Sequence, residues 1–102
     1  MSSREEQFKQ LVSEFPDSPM GHFSLGKLYL DERRYAEAAK SLEEAIRLDS
    51  EYAAALVALG DAYAGLGDKA RARATLERAR NTALGQQHQS LAEEIDERIA
   101  EL

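Results

Sequence analysis

The chain repeats itself at a fixed interval. Shifting residues 19–52 by 34 lays them on residues 53–86 without a gap, and the matches are Leu25/Leu59, Gly26/Gly60, Tyr29/Tyr63, Ala36/Ala70, Ala38/Ala72, Leu42/Leu76, Glu43/Glu77 and Ala45/Ala79. A period of about 20–50 residues marks architectures in which one small unit stacks on the next, because a single unit cannot bury its own apolar face. The fold is therefore expected to grow by adding units.

Each unit divides into two helical patterns. His22, Leu25, Gly26 and Tyr29 fall on one stripe at helical spacing, and Leu56, Leu59, Gly60 and Tyr63 do the same one period later. A second stripe follows in each unit, Tyr35, Ala38, Leu42 and Ala45 in the first and Ala72, Leu76 and Ala79 in the second. Punctuation agrees with this division. Ser18 before Pro19 is an N-cap followed by a proline suited to the first helical turn, and Gly67 before Asp68 is a stop followed by a new cap. With only six glycines, two prolines and few β-branched residues, the composition is all-α, and such short links force consecutive helices to pack antiparallel. Close crossing of two helices, at about 8 Å, needs small side chains at the contact; Gly26, Ala38, Gly60 and Ala72 are the residues expected there.

The flanking segments are also helical in pattern. Residues 3–15 open with Ser3-Arg4-Glu5-Glu6, a capping box, and carry Phe8, Leu11, Val12 and Phe15 on one broad face. Counting by the period aligns Phe8 with Leu42 and Leu11 with Ala45, so this segment is expected to be half a repeat lacking its first helix. In residues 87–102, Leu91, Ile95, Ile99 and Leu102 form a single stripe on an acidic helix. The strict period would put its glycine and tyrosine positions at Glu94 and Glu97, which marks a terminal cap rather than a third unit. A length of 102 residues suits one domain, divided into a half repeat (3–15), repeat one (19–52), repeat two (53–86) and the capping helix.

Several function classes drop out. The chain has no cysteine and two histidines, so thiolate chemistry and disulfides are excluded. His22 lies on a core stripe, where a packed and hydrogen-bonded imidazole is expected, and His88 lies in a glutamine-rich connection; neither has a partner at metal spacing. Glu43 and Glu44 have the spacing of a solvated helix face, and no phosphate-cradling glycine loop or nucleophile elbow occurs. Neither a cofactor nor catalysis is expected. With 13 basic against 19 acidic residues and a net charge of −6, the surface repels phosphate, which disfavours nucleic acid and anionic membrane and favours basic or neutral partners. Lys69, Arg71, Arg73, Arg78 and Arg80 form a basic run, but the following helix carries Glu93, Glu94, Asp96, Glu97 and Glu101, so solvated faces and ion pairs are expected there rather than RNA contacts. No apolar stretch is long enough to span a bilayer and no secretory leader is visible, so a cytoplasmic location is the default.

His22-x-x-Leu25-Gly26-x-x-Tyr29 with Ala38-x-x-x-Leu42, and Leu56-x-x-Leu59-Gly60-x-x-Tyr63 with Ala72-x-x-x-Leu76, resemble the tetratricopeptide repeat, a helix–turn–helix unit of the same length. The resemblance covers residues 19–86. Departures are modest: His22 and Leu56 stand at the family's tryptophan position, Leu42 and Leu76 at its phenylalanine, and Ser50 and Leu84 at its closing proline, which Pro16 fills for the half repeat. The resemblance implies an all-α, right-handed α-solenoid of antiparallel helix pairs. The first helix of each pair would line a concave groove that holds a peptide or helix of a partner protein.

Carried onto this chain, the inward positions are Met20, Phe23, Lys27 and Leu30 in the first unit and Ala54, Val57, Asp61 and Ala64 in the second. The residues lend their own support, since Met20, Phe23 and Leu30 make a second apolar stripe about 120° around the helix from the first. That surplus has two explanations. Phe23 and Leu30 anchor the apolar side of a partner, Met20 adapts to it and Lys27 and Asp61 set register; or a terminal helix or a second copy of the chain covers the stripe. Some family members clamp chaperone carboxylates with lysine and asparagine. Here Phe23, Val57 and Asp61 stand in those places, so an apolar or basic segment is the expected partner. The implied function is a non-catalytic interaction module, an adaptor or scaffold, with a self-associating homodimer as the alternative.

Overall fold

The computed structural model describes residues 3–102, and among them the chain forms six helices and no strand: α1 (Ser3–Glu14), α2 (Pro19–Asp31), α3 (Tyr35–Leu48), α4 (Ala53–Gly65), α5 (Lys69–Gly85) and α6 (Gln89–Ala100). The caps sit where the sequence placed them. Ser18 Oγ accepts from the Met20 amide at 3.3 Å, with Pro19 as the first helical residue. Asp68 accepts from the Arg71 amide at 3.0 Å. Ser3 is a correction: α1 already includes it, so the cap position falls outside the described residues, and Glu5 turns inward instead.

Three links share one geometry. In Glu32-Arg33-Arg34, Leu66-Gly67-Asp68 and Gln86-Gln87-His88 the middle residue has a positive φ, of 59°, 81° and 59° respectively. The third amide of each link bonds back to Tyr29, Tyr63 or Ala83, at 2.8, 2.9 and 2.8 Å. This is the Schellman closure, which satisfies carbonyls left over at a helix end and favours glycine in its left-handed position. Only Gly67 announces it in the sequence; Arg33 and Gln87 adopt the same conformation against the preference of an L side chain.

Packing follows the chain. Each helix lies against the next, α1 through α6, and α2 also touches α4. The even-numbered helices therefore form one side, called inner here, and α1, α3 and α5 form the outer side. The largest fully buried side chains are Leu42, Leu56, Leu76 and Ile95, and between them lie fully buried alanines at 38, 45, 55, 62, 72 and 79. Gly26 and Gly60 do mark the close approach within each pair. A Cβ on Gly26 would come within 2.6 Å of Leu42 Cγ, and one on Gly60 within 2.7 Å of Leu76. The side chain received by the glycine is thus Leu42 or Leu76, one turn beyond Ala38 and Ala72.

Helix α5 has 17 residues against 14 in α3, and α6 begins two residues later than one period after α4 would put it. With that slip, Leu56, Leu59 and Tyr63 correspond to Ala92, Ile95 and Ile99, all buried or packed on the core. Among the described residues no helix is long and apolar enough to cross a membrane.

Candidate partner-binding face

The positions expected to face inward lie on α2 and α4, side by side. Met20 is 65% exposed, the most open of the large apolar side chains among the described residues. Phe23 is half-buried, its ring tilted against that of Tyr52 with centroids 4.8 Å apart. Leu30 and Val57 are half-buried on the margin of the core. Lys27, Ala54 and Ala64 are exposed, and Asp61 is half-buried. Met20, Phe23, Ala54 and Val57 lie in the amino-terminal halves of α2 and α4, Lys27 and Asp61 in their carboxyl halves, and Leu30 and Ala64 beyond those charges.

Asp61 is already engaged. Arg98 of α6 donates from Nη1 to both of its carboxylate oxygens, at 2.7 and 2.6 Å. Burial pushes the Asp61 carboxyl above its ordinary range; Arg98 and Lys27 pull the other way, while Glu94 adds to the rise. Desolvation therefore outweighs the ion pair, which is the usual balance for a partly buried charge. The influence of Lys27 on Asp61 places both on one patch. The exposed carboxylates of Asp31, Glu97 and Glu101 lie at or near the carboxyl ends of α2 and α6, where the helix dipole is itself negative.

Helix α1 does not cover Met20. Helix α1 packs Val12 over Gly21 and is fixed at its start by Glu5, the one buried charged residue among those described. Glu5 accepts from Arg34 Nη1 at 2.8 Å and from the Tyr29 hydroxyl at 3.2 Å, and pairs with Lys9 at 3.1 Å. Arg34 and then Lys9 hold the Glu5 carboxyl down at about 2. The Arg34 guanidinium also lies 4.4 Å from the Tyr29 ring centroid, a cation–π contact. These contacts leave Met20 open to solvent.

Two residues of this face escaped the sequence reading. Tyr52, which supports Phe23, was signalled only as an aromatic just before a helix. Arg98 was signalled as the lone base among the α6 acids. His22 is a correction: it is half-buried, without a hydrogen bond, on the wall of an outer groove with Val12, Lys40 and Glu44. The basic run is only partly paired, by Arg80 to Asp96 at 2.6 Å and Arg71 to Asp68 at 2.9 Å. Among the described residues no three histidine, aspartate or glutamate side chains gather in a group that could hold a metal.

Comparison with known proteins adds two findings. The sequence model of the tetratricopeptide repeat matches residues 5–40 and 23–87. A structural-genomics protein from Bordetella parapertussis, solved in solution, superposes with a TM-score of 0.86 at 26% identity, over 99% of this chain and 88% of that one. No curated protein matches the chain.

Proposed function

Because the chain belongs to the tetratricopeptide repeat family, we propose that it is a non-catalytic protein–protein interaction module, an adaptor or scaffold whose inner face takes an extended or helical segment of a partner. The observation that supports this reading is the exposed Met20 beside the half-buried Phe23 and Val57 on the inner helices. Grouped apolar surface rimmed by charge is characteristic of an interface. The partner segment is apolar where it meets these side chains and basic where it reaches the carboxylates of α6 and the negative ends of the inner helices. Preformed helices leave most of the ordering cost to the partner.

Met20 and Lys27 are exposed, so a Met20→Glu, Lys27→Glu variant keeps the fold, as circular dichroism will show. Affinity capture from native lysate with this variant is expected to lose proteins that the wild type retains. Identical captures overturn the inner face as the recognition surface. Light scattering on a size-exclusion column, run in parallel, is expected to show a monomer; a dimer abolished by the same two substitutions replaces the adaptor with self-association.

A further inference from the structure

The outer side has a feature that this function does not use. Inner helices α2 and α4 touch, but the outer helices stand apart, and a groove opens between each neighbouring pair with an inner helix as its floor. The two grooves are copies. Val12, Leu25 and Ser41 of the first recur one period later as Ile46, Leu59 and Thr75 of the second. They differ in charge at two equivalent positions, Lys40 of the first against Ala74 of the second and Glu44 against Arg78. The first groove has Glu44, paired with Arg47. The second has Arg78, whose guanidinium donates only to the Ser50 carbonyl, at 3.2 Å, and has no carboxylate partner among the described residues.

Arg78 stands among charges of both signs, with Arg71 and Glu43 in the groove and Glu51 and Glu77 lining the adjoining hollow, but no carboxylate among the described residues pairs with it. Helix α5 carries five basic residues against Glu77 alone. Arg71, also on the groove wall, lies 4.7 Å from the Tyr63 ring centroid. On the facing wall, Glu43 is engaged by the Tyr63 hydroxyl. The net negative charge of the whole molecule does not decide the matter, because screening confines charge effects to about 8 Å at physiological salt. The groove is apolar at its base, where Leu59 of α4 and Ile46 of α3 meet over the buried Leu56, and it has a volume of about 390 Å³, room for apolar side chains beside the arginine.

We propose that the groove between α3 and α5 is a second binding site, which takes an acidic, apolar-anchored segment of a partner protein. An apolar side chain rests on Ile46 and Leu59, and a carboxylate pairs with Arg78 in a charge-assisted hydrogen bond. The module then has two faces of opposite preference, basic partners inside and acidic partners outside, and can bridge them.

The probe is a short peptide alternating leucine and glutamate, titrated into isotopically labelled protein and followed by amide chemical shifts, with the leucine–lysine counterpart as its control. The acidic peptide is expected to move Ile46, Leu59 and Thr75, and Arg78→Glu to weaken it by about tenfold or more. The basic peptide leaves these residues unmoved. Four outcomes overturn the site: no shifts there at millimolar acidic peptide, equal binding by Arg78→Glu, equal binding of the basic peptide, or displacement by a single-stranded oligonucleotide that binds more tightly, which reassigns the groove to nucleic acid. Shifts at Met20, Lys27 and Ala54 alone would report the inner face, leaving the proposed function intact while removing this site.

Discussion

Gly26 and Gly85 are both helical glycines, yet they stand in opposite surroundings. A methyl group on Gly26 would meet Leu42 at 2.6 Å, whereas nothing lies within 4 Å of one on Gly85. Gly26→Ala is therefore expected to cost about 1–3 kcal/mol by overpacking, and Gly60→Ala the same against Leu76. Gly85→Ala is expected to be neutral or to stabilise by up to about 1 kcal/mol through helix propensity. Urea denaturation of the three variants measures this; equal destabilisation at Gly85 would show that helix packing does not distinguish them. The pairing of Gly26 with Gly60 was legible because the same cost appears at the same place in both units. Their contact with Leu42 and Leu76 was not, because it depends on the axial offset between two packed helices, which spacing along one helix does not encode. His22 teaches the same lesson: its stripe was legible, but not the gap between α1 and α3 that leaves it on a groove wall.

Helix α1 is held on one side only, against α2, and its polar attachment is concentrated in Glu5. The Glu5 carboxyl titrates near 2 in the folded chain against an ordinary 4.5. A depressed carboxylate pKa contributes stability that is full above the ordinary value and lost as pH falls toward the folded one. The wild type is thus expected to lose stability between about pH 5 and pH 2, with Glu5→Gln already weaker at neutral pH and less sensitive through that window. Thermal melts across the range test this, and parallel pH profiles for the two proteins would refute it. Exposed pairs such as Glu37 with Arg34 and Asp68 with Arg71 shift in the same direction, but solvent screening makes each worth little. Sequence reading found α1 and its apolar face. It assigned the acids beside Ser3 to a cap, because no local pattern shows that Arg34, a distant residue, comes round to meet Glu5.

For the molecule as a whole, stability is a sum over neighbouring helices, as expected for a stack in which each element mainly touches the next. Helices α3 and α4 have partners on both sides and α1 has one. Native-state hydrogen exchange is expected to be fastest in α1 and slowest in α3 and α4; uniform protection would mean that the chain opens as a single unit. The period made the stack legible, whereas the inward positions rested on the family resemblance. What the period could not carry was the contact between Arg98 and Asp61 and the course of α6, both of which depend on the extra length of α5. That two-residue slip bears on any attempt to lengthen the array. A duplicate of residues 19–52 spliced directly behind Tyr52 inherits the existing link into an inner helix and preserves the helical phase. A duplicate taken across the α5–α6 junction would instead pass the slip to every later unit, rotating each apolar stripe away from its neighbour.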